Sequence, residues 1–302
     1  MRSTGSWYDI ADEQGNKYIG RLRGKLKQEE MKSNNPIAVG DYVDFEIENV
    51  EQNTVLINDI LERENYLIRQ STHRKNQAHI IAANIDQAML IATLVFPRTS
   101  LGFIDRFLVS AEAYRIPTLV IFNKKDLLEG DGLVFQEELV EMYKKIGYES
   151  LAISALDKND IQKINALLEG KKTLISGHSG VGKSTIINHI APYLGLETGD
   201  ISDYSLKGTH TTTFAEMFEI RPKTYLIDTP GIKELGLIDI EAEEISHFFP
   251  EMRERFGQCK YYNCTHLHEP DCAIVKAVEN GEIAQSRYES YLSMVMGEDN
   301  RK

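Results

Sequence analysis

The chain has 302 residues, 42% of them hydrophobic and 26% charged, with a net charge of −12 and 3 cysteines. Such a composition excludes extended disorder and a disulfide-stapled secreted scaffold, and the length fits about two domains. The negative charge excludes indiscriminate coating of nucleic acid, which needs Lys and Arg to meet phosphates.

The N-terminus, MRSTGSWYDIADEQG, lacks the apolar core of a signal peptide. The most apolar stretch, Ile80 to Phe96, carries Asn84 and Asp86 and does not suit a bilayer. A soluble, cytoplasmic protein without membrane contact is expected.

Residues 1–68 alternate apolar and polar positions in the runs SWYDIAD, KYIGRLRGKL, DYVDFEIENV and TVLINDILE, broken by DEQGN, KQEEMKSNNP and VEQN. Period-two runs between turn signals predict a compact antiparallel domain, most simply a small barrel of OB or SH3 type. The polar KQEEMKSNN loop is expected to be mobile.

Over 72–234 the pattern changes to buried apolar runs, AMLIATLV, PTLVIFN, ESLAIS, KKTLISG and TYLIDTP, which read as strands covered on both faces. Between them LGFIDRFLVSAEAY, FQEELVEMYKKIG and DIQKINALLEG have helical spacing. The alternation predicts a mostly parallel sheet with ligands at the carboxyl ends of its strands. Residues 235–302 read as helices, EAEEISHFFPEMRERFG and AIVKAVENGEIAQSRYESYLSMVM, on either side of a cysteine cluster.

Gly177-His178-Ser179-Gly180-Val181-Gly182-Lys183-Ser184 fits the P-loop pattern between a predicted strand and a predicted helix that opens with Thr185. The glycine-rich backbone and the helix N-terminus can present N–H groups to phosphate oxygens. Lys183 would reach the β- and γ-phosphates, and Ser184 would hold Mg²⁺. Asn123-Lys124-Lys125-Asp126 follows the strand TLVIF. The Asp126 carboxylate can accept from both N1–H and the exocyclic amine of guanine, a donor pair that adenine lacks. Asn123 would brace the loop and the Lys124 stem would cover the base.

Two further elements complete the constellation. Ser154-Ala155-Leu156 follows ESLAI and resembles the GTPase element whose backbone N–H touches guanine O6. Asp228-Thr229-Pro230-Gly231 follows TYLI, with the aspartate orienting Mg²⁺ through water and the glycine N–H meeting the γ-phosphate. Between P-loop and Asp228, the run Gly208-Thr209-His210-Thr211-Thr212-Thr213 looks like a first switch, with Thr212 the favoured Mg²⁺ ligand. The residue after Gly231 is Ile232, where many GTPases place a water-positioning Gln, so His210 or a partner must position the water.

The order of these elements, with the guanine tetrad ahead of the P-loop, describes a circular permutation. It ties the end of the second switch to the C-terminal helices, so nucleotide state could move them. Those helices flank Cys259-x4-Cys264-x-His266-x5-Cys272, which meets the Cys₃His requirement of one closed, structural Zn²⁺ site, with His268 a substitute ligand.

The permuted order, the N-terminal barrel and the cysteine cluster together resemble the bacterial ribosome small subunit-dependent GTPases, and the resemblance spans essentially the whole chain. It implies an OB-like barrel over 1–68 that binds RNA, a permuted P-loop GTPase domain over 72–234 and a helical zinc-binding domain over 235–302. The implied activity is hydrolysis of GTP to GDP and phosphate, stimulated by the small (30S) subunit during its late maturation, with contacts to its rRNA and a monomeric state. Charge is distributed as −4 over 1–70, −2 over 71–234 and −6 over 235–302, so no domain is basic. Phosphate contacts are expected at local patches, six Lys or Arg against two Glu over 17–32 and three basic residues in the run from Arg69 to Gln77.

Overall fold

A computed structural model describes residues 7–24, 36–70, 78–195, 215–228 and 240–298. The first four strands are β1 (Tyr8–Ala11), β2 (Lys17–Leu22), β3 (Val43–Asn49) and β4 (Thr54–Ile60), in the sheet order β1-β2-β4-β3. Their alternation turns Tyr8, Ile10, Val55 and Ile57 inward around Ile37, which gives the β domain its own small core. β2 and β4 are parallel, against the purely antiparallel expectation, because β3 intervenes in sequence and pairs on the far side of β4. An antiparallel hairpin of β5 (Tyr66–Gln70) and β6 (Ala78–Ala83) follows. Its second strand merges into the apolar run Ile80–Phe96 and has no period of its own to announce it.

The chain forms two compact units. The first comprises Met1–Ala88, Gln162–Ser176 and Lys183–Glu234, and the second comprises Met89–Ile161, Gly177–Gly182 and Leu235–Lys302. In the first unit β12 (Thr224–Asp228) lies between β11 (Glu216–Arg221) and β10 (Lys172–Ser176). β10 and β12 are parallel with Ile175 opposite Asp228, whereas β11 runs antiparallel at the edge. β11 is a strand the sequence reading lacked, since EMFEIR alternates charge and bulk without a long apolar run.

In the second unit the Met89–Ala92 part of β7 (Gln87–Ala92), β8 (Thr118–Phe122) and β9 (Glu149–Ala152) are neighbours in that order, with β8 and β9 parallel. All residues of β7 and β8 are buried, as continuous apolar runs require. The predicted helices are α1 (Leu101–Ala113), α2 (Asp131–Lys145) and α3 (Lys158–Leu168). Ser100 caps α1 by accepting from the Phe103 N–H at 3.2 Å.

The C-terminal helices are shorter than their sequence pattern implies. A 3-10 segment over Ala242–Phe248 and α5 (Pro250–Arg253) replace one helix, because Pro250 drives Phe249 out of the helical region to φ −105, ψ 104. α6 (Ala273–Glu279) and α7 (Gln285–Val295) replace the other, broken at Gly281, whose φ of 72 is left-handed. Their core gathers Ile245, Phe249, Met252, Ile274, Tyr291 and Met294, and it includes Val109 of α1. Among the described residues no helix is long and apolar enough to cross a membrane.

Candidate functional site

In the second unit three loops follow the strand ends. The Lys124–Asp126 loop leaves β8, the Ser154–Ala155 loop leaves β9, and Gly177–Gly182 follows β10. Asn123, 2% exposed, joins all three. Its Nδ2 donates to the Val181 carbonyl at 2.8 Å, and its Oδ1 accepts from the Ala155 N–H at 2.9 Å. The tetrad's first residue therefore bonds to the phosphate loop and to the loop proposed to read O6.

Glycine is required in the phosphate loop on two counts. Gly177 has φ 146, and a Cβ there would collide with the Ile91 carbonyl oxygen. Gly182 has φ 100, and a Cβ there would collide with the Asn123 amide. His178 turns its ring onto Phe103 of α1, with centroids 4.0 Å apart. Ser179 and Gly180 face outward, while Val181 is fully buried and holds the loop down. Pro97 lies against Gly180, and the Lys124 ammonium donates to the Phe96 carbonyl. Lys124 itself has the left-handed φ of 65.

The Asp126 carboxylate is exposed. Lys125 points the other way, with its Nζ 2.5 Å from Asp160 Oδ2. The same oxygen accepts from the Ser154 N–H at 2.9 Å. Asp160 was absent from the sequence expectations; its only signal was an acid in the first turn of a helix, a common feature with a generic explanation.

In the first unit Lys183, Ser184 and Thr185 form the first turn of α4 (Lys183–Ile190). Ser184 is 8% exposed. Asp228 ends β12 opposite Ile175, two residues before the phosphate loop begins. A hydroxyl and a carboxylate are the hard oxygen donors that suit Mg²⁺. His210, Thr212, Gly231 and Ile232 lie outside the described residues, as do the KQEEMKSNN loop and most of the run after Arg69. Of the other basic patch, Arg21 pairs with Glu48 and Arg23 bonds Asn58 Oδ1 at 2.9 Å, so these two are already engaged within the sheet.

Cys259, Cys264, His266 and Cys272 place all four ligand atoms within 4.8 Å of one another. Cys259 Sγ lies 4.0 Å from Cys272 Sγ and 3.6 Å from His266 Nδ1, and Cys272 Sγ is 3.4 Å from that nitrogen. A tetrahedral zinc site separates its sulfurs by ~3.8 Å and sulfur from nitrogen by ~3.5 Å, so the donors fit that ion. Burial pushes the Cys264 thiol up to about 12 and raises that of Cys272, so a bound cation is what would favour these two as thiolates. His268, the substitute ligand, is exposed and outside the cluster.

The supporting shell is built from side chains the motif does not contain. Tyr288 donates its hydroxyl to the His266 carbonyl at 2.7 Å, and Tyr291 donates to the Thr265 carbonyl at 2.6 Å. Glu269 accepts from the N–H groups of Thr265, Leu267 and His268 and from the Thr265 hydroxyl, at 2.5–3.3 Å. Partial burial opposes its ionisation, but these bonds prevail and hold its carboxyl down at about 2.

Comparison with known proteins shows the family. The profile of the RsgA GTPase family matches residues 60–238, and that of the RsgA N-terminal domain matches residues 1–55. The small ribosomal subunit biogenesis GTPase RsgA of Phocaeicola vulgatus is 48% identical over 302 residues, covering 100% of this chain and 97% of its own length. Its namesake from Christiangramia forsetii is 49% identical over 299 residues, covering 99% and 95%. YjeQ from Thermotoga maritima superposes with a TM-score of 0.77 at 36% identity, over 98% of this chain and 95% of that one. YloQ, a circularly permuted GTPase, gives 0.77 at 31% identity over 99% and 93%. With an N-terminal β domain, a permuted α/β domain and helices around a Cys₃His cluster, this chain belongs to the RsgA GTPase family.

Proposed function

We infer that the chain is a GTP hydrolase of small-subunit biogenesis, which binds the small ribosomal subunit and turns over GTP when the subunit stimulates it. The observation that carries this reading is the pair of bonds from Asn123 to Val181 and Ala155, which connects a guanine-reading tetrad to a phosphate loop within one unit. An accidental match to either motif would have no reason to make that connection.

In this reading Asp126 accepts from N1–H and the amine of guanine, the Ala155 N–H, which donates to Asn123 Oδ1, is shared with O6 when the base is bound, and the Lys124 stem lies along the base. The amides of Gly177–Gly182 and the Lys183 ammonium neutralise charge on the phosphates as it shifts toward the leaving oxygen. Ser184, Asp228 and Thr212 are the residues to hold Mg²⁺, directly or through water. When bound, Mg²⁺ supplies charge stabilisation at the β- and γ-phosphate oxygens. Ile232 offers no hydrogen bond to the attacking water, so turnover by the chain alone is slow and the water is positioned by His210 or by the subunit.

Cys259, Cys264, His266 and Cys272 hold one structural Zn²⁺, which fixes the loop between α5 and α6. The three functional parts are residues 1–68, 72–234 and 235–302, acting in the cytoplasm as a monomer, with rRNA contacts from the first and last. The test is the GTPase rate against added small subunits, with large subunits as control. Stimulation by the small subunit alone is expected; equal rates with either subunit would refute the partner assignment.

A further inference from the structure

We propose that Asp160 is a positioning residue for guanine recognition, setting the separation between the two groups that read the base edge. The proposal rests on the nucleotide site described under the proposed function and goes beyond it by adding a residue outside every motif.

The two readers come from different strands. Asp126 belongs to the loop after β8 and the Ala155 N–H, which donates to Asn123 Oδ1 and would share its proton with the base, to the loop after β9. They must reach adjacent atoms of one purine edge, so an error of about 1 Å in their separation weakens both contacts. Asn123 is one tie between the loops, and the Lys125 N–H adds a backbone bond to the Ile153 carbonyl at 3.0 Å. Asp160 is the second side-chain tie. One of its oxygens, Oδ2, takes both the Lys125 ammonium at 2.5 Å and the Ser154 N–H at 2.9 Å. Those partners are the immediate chain neighbours of Asp126 and Ala155.

A carboxylate in the first helical turn is ordinarily a solvated complement to the helix dipole. Asp160 is not solvated: it is 1% exposed, while Lys125 is about one-third exposed. A buried carboxylate persists only where its partners replace water, so the ordering energy of this group is spent on the two loops that meet the base. Lys125, the variable position of the tetrad, thereby acquires a role that does not involve touching nucleotide.

The experiment measures GDP and ADP dissociation constants of the full-length chain by competition against a fluorescent guanine nucleotide, for wild type, Asp160→Asn and Asp160→Ala. Thermal melting and zinc content serve as controls for folding. Asp160→Ala is expected to weaken GDP about ten-fold while leaving ADP within about two-fold, so that base selectivity falls. Asp160→Asn keeps an oxygen for the Ser154 N–H and is expected to lose less. Turnover at saturating GTP should stay within about two-fold in both. A folded Asp160→Ala variant with a wild-type ratio of GDP to ADP affinity would overturn the proposal, as would equal losses for both nucleotides. If Asp160→Ala does not fold, Lys125→Met carries the test, with a GDP-selective loss expected and an unchanged ratio overturning it. A wild-type chain that prefers neither nucleotide would instead sink the guanine site itself, and the proposal with it.

Discussion

Arg287 and Asp105, 182 positions apart in sequence, form a fully buried ion pair with Nη1 and Oδ1 2.7 Å apart. Glu251 completes the cluster by accepting from Arg287 Nε at 2.7 Å, the guanidinium lies 4.5 Å from the Phe249 ring centroid, and the Tyr143 hydroxyl donates to Asp105 at 2.9 Å. Burial works against the charge on Arg287, yet the two carboxylates together hold its pKa well above the usual arginine value. The last helix of the chain is thus fastened to α1, whose Phe103 also packs on His178 of the phosphate loop. The sequence pointed to the link after Gly231, which lies outside the described residues; within the second unit α1 touches both the phosphate-loop residue His178 and the C-terminal helices.

Arg287→Met strands two carboxylates in the interior. It should destabilise the protein by roughly 3–5 kcal/mol, read from the denaturant midpoint, because an unpaired buried charge costs more than the pair contributes. Asp105→Asn keeps a hydrogen-bond acceptor and should cost less. Near-equal midpoints for wild type and Arg287→Met would contradict the burial of this cluster.

Lys183→Ala removes the ammonium proposed to meet the developing charge on the phosphates. Turnover stimulated by small subunits should fall roughly a thousand-fold, with melting temperature and zinc content preserved. Unchanged phosphate release from the purified variant would rule out the phosphate-loop assignment.

Asp126→Asn replaces a double acceptor by a group that also donates. Guanine nucleotides should lose about 3 kcal/mol of binding, roughly two orders of magnitude, while xanthine nucleotides gain because a carbonyl oxygen on C2, able to accept from the new amide, replaces the guanine amine. Titrations with GDP and XDP on the same preparation decide this, and an unaltered preference would count against the tetrad.

Removal of zinc should loosen the C-terminal helices and leave the β domain folded. Cys272 is 2% exposed and occupies the position just before α6, so Cys272→Ser should abolish stoichiometric zinc and lower the melting transition of the C-terminal part. Metal analysis after gel filtration, paired with proteolysis of the two forms, provides the check. Retention of one zinc per chain in Cys272→Ser would exclude it as a ligand.

The sequence by itself determined whatever is local. The phosphate-loop pattern needs its glycines within one turn, the tetrad needs four consecutive residues after a strand, and the four residues of the Cys₃His cluster lie within 14 positions. The alternation of buried runs and amphipathic helices likewise identified β7, β8, β9, β10 and β12 with the helices between them, because backbone period and burial are properties of a short window. Breaks at Pro250 and Gly281 were local too, but a continuous apolar stripe on either side concealed them.

Tertiary structure alone decided what depends on partners distant in sequence. Nothing near Asp160 in the chain says that its oxygen meets Lys125, 35 positions earlier, and nothing near Arg287 names Asp105. A charged residue reads as surface by default, and only folding reveals that its counter-charge is buried beside it. The edge strand β11 and the hairpin of β5 and β6 became strands for the same reason: their pairing partners, rather than their own period, supply the hydrogen bonds.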